Sequence, residues 1–330
     1  MELLTLIILV IIGLLIVGVI LFVVLTPAQV APEPIPPTPP PETMWRILGN
    51  AYNDLNGTVY AIASIGNDIY VGGDFTTAGG VSANRVAKWD GSSWSSLGSG
   101  VNGIVNALTI NGTDLYAAGQ FTTAGGTSAN YVAKWSGSSW SSLGSGMSGP
   151  VYSLAMIGTD LYAGGLFTTA GGASANYVAK WSGSSWSSLG SGMNDYVFAL
   201  AVMGSDLYVG GSFGTAGGIS AINIAKWSGS SWSSLGSGMN GPVYSLAVIG
   251  TELYTGGNFT TAGGASANYV AKWSGSSWSS LSGPSGNGVT TVVNSLLPST
   301  KDGYTYIIAG GQFTQAGGIP AEYIAQYGPV

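Results

Sequence analysis

The chain has 330 residues and a net charge of −6, and only 7% of its residues are charged, against roughly 25% in an average soluble protein. Two arginines and an acidic balance leave it without the basic footprint that nucleic-acid binding requires. It contains no cysteine and no histidine, which excludes disulfides and thiolate chemistry and removes the commonest general base and metal ligand.

In chain order the first element is residues 3–25, LLTLIILVIIGLLIVGVILFVVL, apolar apart from Thr5. As a helix it would be about 34 Å long, enough to cross a bilayer core. A secretory signal peptide is the rival reading, with Ala28 and Ala31 as cleavage-site residues. The apolar run is longer than a signal core, and no Lys or Arg precedes it. A third reading packs the helix with its own copies. In architecture it resembles the apolar N-terminal helix of type IV pilin-like filament subunits, and that likeness implies self-association in a fibre core. The likeness is partial, because no basic leader precedes the helix and its early acid is Glu2. With no Lys or Arg near either end, charge bias gives no orientation in a membrane.

Residues 26–43, TPAQVAPEPIPPTPPPET, hold eight of the 14 prolines. Such a run excludes helix and central strand and favours polyproline II, a semi-rigid stalk of roughly 50 Å. A floppy tether is the alternative.

Residues 44–330 are repetitive. The pairs Lys88-Trp89, Lys134-Trp135, Lys180-Trp181, Lys226-Trp227 and Lys272-Trp273 recur every 46 residues, within the phrase KWSGSSWSSLGSGM at 134–147, 180–193 and 226–239. A period in this range means one supersecondary unit per repeat. The third copy predicts four strands: PVYSLAMIG (150–158), LYAGGLF (161–167), NYVAKW (176–181) and WSSLGSG (186–192), with TTAGGASA as a loop between the second and third. Four antiparallel strands in about 46 residues describe a β-propeller blade. The inner-strand pattern appears near Val59, Val105, Val151, Val197, Val243 and Val292, which predicts an all-β, six-bladed propeller. MWRILGN (44–50) matches a fourth strand and EYIAQYG (322–328) a third, so the N-terminal strand is expected to complete the last blade and close the ring, leaving no sheet edge.

The repeat LYAGG…NYVAKW…W resembles those of kelch and galactose-oxidase-type propellers over the whole 44–330 region. The likeness implies the fold. It does not imply a function, since such propellers serve as binding platforms, structural parts and enzymes.

Five lysines, Lys88, Lys134, Lys180, Lys226 and Lys272, each follow an acid by 20 residues: Asp68, Asp114, Asp160, Asp206 and Glu252. In the sixth blade both charges are missing, replaced by Gln326 and Tyr306. The spacing predicts one intra-blade ion pair near a rim in each of five blades; a lysine ring for an anionic ligand is the alternative. The tryptophan pairs are expected to fill space between blades, with sugar stacking as the rival role. The glycines of TTAGG are expected to supply positive-φ turns.

Catalytic, cofactor and metal sites are all expected to be absent. Sialidase chemistry wants an arginine cluster, and only Arg46 and Arg85 are present; copper-oxidase chemistry wants His and Cys; paired-carboxylate hydrolysis wants two acids in one cleft. Departures from the repeat mark candidate specificity positions: Asp74, Arg85 and Asp90 in blade one; Phe198, Gly214 and 221–223 in blade four; the insertions around SGPSGNGVTTVV and STKDGYT in blade six. Asn56, Asn111 and Asn258 head N-glycosylation sequons. Together these predict a non-enzymatic extracellular or cell-surface protein whose apolar helix self-associates, in a filament or a membrane, and displays the propeller. The alternative is a membrane-anchored adhesin whose loops bind glycan or protein.

Overall fold

The computed structural model describes residues 55–301 and 303–328. The expected helix (1–25), stalk (26–43) and closing strand (44–50) lie outside the described residues. Six antiparallel sheets follow one another along the chain, five with four strands and the sixth with three among the described residues. The protein is an all-β, six-bladed propeller.

Blade three shows why the sequence folds this way. Its strands are Val151–Ile157, Asp160–Gly165, Val178–Trp181 and Trp186–Ser188, hydrogen-bonded in that order. They are rich in β-branched and aromatic residues, which fit a pleated, packed surface. Gly158, at φ 60°, turns the first strand into the second. Trp181 and Trp186 face each other in register across the last turn, their ring centroids 5.4 Å apart.

The expected loop TTAGGASA is more ordered than the sequence reading allowed. Thr169–Ala170 pairs with Ala173–Ser174 in a two-residue ribbon, and the other five blades repeat it. Gly171 and Gly172, at φ 62° and 83°, supply the two left-handed corners such a tight hairpin needs. The inner strand of blade six also departs by one residue. Val293, not Val292, is the counterpart of Val151: it is fully buried and pairs with Gly311. The insertion that precedes this strand shifts the register.

The core lies between blades. The second strands carry Gly72, Ala118, Gly164, Gly210 and Gly256 where the next blade's inner strand approaches. A Cβ on Gly210 would stand 2.6 Å from Val243 Cγ1, and one on Gly256 2.5 Å from Val293 Cγ1. Phe121, Phe167, Phe213 and Phe259 close each layer, all almost completely buried. Blade six and blade one keep uncovered faces among the described residues. Ile324 is 59% exposed, whereas its counterparts Val86, Val132, Val178 and Ile224 are at 0%. Ile62 on the inner strand of blade one is likewise exposed.

Candidate functional site

Each inner strand begins at one rim and ends at the other. The ending rim carries the ion pairs. Lys88 Nζ lies 2.6 Å from Asp68 Oδ2, Lys134 3.0 Å from Asp114, Lys180 3.1 Å from Asp160, Lys226 3.1 Å from Asp206, and Lys272 2.7 Å from Glu252 Oε1. The residue directly opposite Lys88 is Tyr70, so the lysine reaches its acid diagonally along one face. The carboxylate hydrogen bond raises the pKa of Lys88, Lys134 and Lys180. Lys272 foremost, assisted by the Tyr254 hydroxyl, lowers that of Glu252.

The other acids of blade one are also engaged. Asp74 meets Arg85 Nε at 3.0 Å. Asp90 accepts hydrogen bonds from Ser92 and Ser93, which hold its carboxyl well below the usual range. Among the described residues no group of three acids is arranged to hold a metal ion.

The tryptophans of the repeated phrase join blades. Trp140 Nε1 donates to Leu97 O, Trp186 to Leu143 O, Trp232 to Leu189 O and Trp278 to Leu235 O, at 2.7–2.8 Å. Each acceptor belongs to the preceding copy of the phrase. The phrase therefore carries shape.

The beginning rim is built from two loops clipped together. Asn102 Oδ1 accepts the backbone N–H of Thr122 and Thr123, while its Nδ2 donates to Thr122 Oγ1 at 3.0 Å. Asn240 does the same to Thr260 and Thr261. So does Asn56 to Thr76 and Thr77. Asn56 thus spends the sequon nitrogen on Thr76 Oγ1 at 2.8 Å. Asn111 is half-buried at the end of an inner strand, and Asn258 is exposed.

At this rim every inner strand carries a β-bulge at its second position, between Val59 and Ala61 in blade one and at the matching places in the other five. A bulge re-aims the extra residue's side chain. The six residues are Tyr60, Asn106, Tyr152, Phe198, Tyr244 and Asn294. In blade two this residue reaches the neighbouring blade, Asn106 Nδ2 donating to Val151 O at 3.0 Å. In blades three to five they form a row of rings, Tyr152 to Phe198 at 5.9 Å and Phe198 to Tyr244 at 5.4 Å.

Blade four extends the row. Where blades three and five have Gly149-Pro150 and Gly241-Pro242, it has Asp195-Tyr196. Tyr196, 39% exposed, stands edge-on to Phe198 at 6.1 Å and 6.2 Å from Tyr177. Burial, with Tyr196 nearby, raises the pKa of the Tyr152 phenol. Blade four also replaces the clip threonine with Gly214. Asn194 Oδ1 still accepts from the N–H of Gly214 and Thr215, but its Nδ2 has lost the hydroxyl it would bond.

Of the blade-four departures visible in the sequence, Phe198 and Gly214 belong to this cluster. Residues 221–223 do not: Asn223, at φ 63°, donates to Met239 O at 2.9 Å. In other blades the asparagine stands one position earlier and binds a carbonyl two residues nearer, as Asn176 donates to Ser191 O. Asn194, Asp195, Tyr196 and Tyr177 escaped the sequence reading. The available signal was an Asp-Tyr pair, found in this copy alone, where blades three and five have Gly-Pro.

This arrangement defines a β-propeller with one differentiated rim. The model of the Rax2 C-terminal beta propeller domain matches residues 47–203 and, in a second overlapping match, 191–327. The chain belongs to that family. No curated protein matches it. Among solved structures it is similar to the computationally designed Ika8 protein, at 17% identity over 83% of this chain and 76% of that one, TM-score 0.51. It is similar also to an ancestral GH74 enzyme, at 16% over 82% of this chain and 36% of that one, TM-score 0.53. A chain of the mitotic checkpoint complex matches at 15% over 88% and 82%, TM-score 0.51. The chain spans about a third of the length of the GH74 enzyme. At these identities the likeness is one of fold alone. Among the described residues no helix is long and apolar enough to cross a membrane.

Proposed function

We propose that the protein is a non-enzymatic cell-surface component whose N-terminal apolar segment self-associates, in a filament core or a membrane, and displays the propeller outward. The observation that carries this reading is how the repeated polar groups are used. The five lysines are bound to acids within their own blades, and the indole N–H groups of Trp140, Trp186, Trp232 and Trp278 bind the preceding blade. Side chains that would otherwise serve chemistry hold blades together, as suits a durable display unit. The kelch-like character of the repeat belongs to this proposal and rests on the LYAGG and VAKW segments. Of the three sequons Asn258 best suits glycan addition, being exposed, whereas the Asn56 amide is committed to the loop clip.

Negative-stain electron microscopy of native material, immunolabelled against the propeller, tests the reading. Label along regular fibres supports a filament subunit and label on membranes an anchored one. Label confined to a soluble, monomeric fraction sinks both.

The second reading, an adhesin binding glycan or protein through its loops, is favoured by one observation: the aromatic row at the blade-four rim, which no repeat-wide packing role requires.

A further inference from the structure

Two substitutions confined to blade four act on the same few ångströms of rim. Asp195-Tyr196 in place of Gly-Pro adds a carboxylate and a ring, and Gly214 in place of threonine takes away the hydroxyl that Asn102 and Asn240 Nδ2 bond in their blades. A Cβ on Gly214 would lie 3.8 Å from Asn194 Nδ2 with nothing closer, so the amide has open space beside it. The carboxylate of Asp195 accepts only the N–H of Tyr196, through Oδ1 at 2.9 Å. A free donor and a free acceptor therefore stand in consecutive residues beside Tyr196, Phe198, Tyr152 and Tyr177.

We propose that this rim binds the ring of a neutral sugar. The C–H face of a pyranose is apolar and stacks on aromatic faces, while its hydroxyls both donate and accept, as the Asp195 carboxylate and the Asn194 amide require. The rings run as a row across three blades, centroids 5.4–6.2 Å apart. That shape fits an extended oligosaccharide better than a single enclosed cation. Anionic sugars are disfavoured: Asp195 is negative, and Arg85, on blade one, is bound to Asp74. The inference rests on the adhesin reading and names its ligand class.

The test is saturation-transfer NMR on the full chain in a detergent without a sugar headgroup. The probes are cellopentaose, laminaripentaose, mannopentaose and chitopentaose, with choline and a peptide of residues 26–43 as controls. The expected result is transfer to at least one pentasaccharide, weakened by at least about tenfold in Tyr196→Ala and in Asp195→Asn. A second variant gives blade four the loop of blade five, D195G with Y196P and G214T. It reproduces the loop of blade five, Asn240-Gly241-Pro242 with Thr260, and is expected to keep the melting temperature while losing the sugar. No transfer to any of the four at millimolar concentration overturns the proposal, as does binding unchanged in the second variant, or transfer to choline or the peptide alone. Fluorescently labelled protein is applied to intact cells in parallel. Adhesion that is lost in the second variant without any sugar response ends the carbohydrate assignment and leaves the adhesin reading standing; absence of both ends both.

Discussion

Trp140 of blade two donates its indole N–H to the carbonyl of Leu97 in blade one, at 2.7 Å. Leu97 and Trp140 occupy the same short phrase in successive copies, so each copy presents an acceptor to the next and a donor to the last. The bond is buried, where a lost partner is costly.

Trp140→Phe keeps most of the apolar area and removes the donor. The expected loss is about 0.5–1.5 kcal/mol of unfolding free energy, the net worth of one buried bond, because Leu97 O keeps the N–H of Gly100. Urea denaturation followed by far-UV circular dichroism measures it; a change below the experimental error would show that the bond adds nothing.

The loop clip predicts a graded pair. Asn102→Ala orphans the N–H groups of Thr122 and Thr123 and is expected to cost about 1–2 kcal/mol, given their exposure. Asn102→Asp keeps the acceptor and is expected to recover most of that. Equal melting temperatures for the two variants would refute the clip.

Close approach between blades predicts a contrast between two glycines. Gly210→Ala drives a methyl against Val243 Cγ1, with an expected cost of about 1–3 kcal/mol. Gly310→Ala, whose Cβ would meet only Tyr323 O at 4.0 Å, is expected to change stability by less than about 0.5 kcal/mol. A large loss from the second variant would mean that blade one packs on blade six as the other blades pack on one another.

The ion pairs predict a pH window. Lys134 has its pKa raised above the ordinary 10.5 by Asp114; its contribution is complete below the unfolded value and is lost as pH rises through the folded one. Glu252 has its pKa lowered from the ordinary 4.5, first by Lys272; its contribution is present above the unfolded value and is lost as pH falls through the folded one. The melting temperature is therefore expected to fall at both extremes. Around neutrality a double-mutant cycle on Asp114 and Lys134, both about a third exposed, is expected to give about 0.2–1 kcal/mol. A coupling of zero would reduce the pair to geometry.

The sequence by itself determined the blade: strand count, turn positions, the 46-residue period and the partner of every repeated lysine could be read from local pattern. Alternation sets which face is buried, and a regular repeat leaves few ways to stack. It determined less where the answer depends on an adjoining copy. That Leu97 receives Trp140, that Gly210 must be small for Val243, and that the inner strand of blade six begins at Val293 are facts about neighbouring blades in space. The rim was the least legible part. Tyr152, Phe198 and Tyr244 lie 46 residues apart in sequence, and only a bulge in each inner strand, together with the stacking of blades, brings their rings within 6 Å of one another. Local chemistry wrote the repeat; the tertiary structure alone decided which of its exceptions meet.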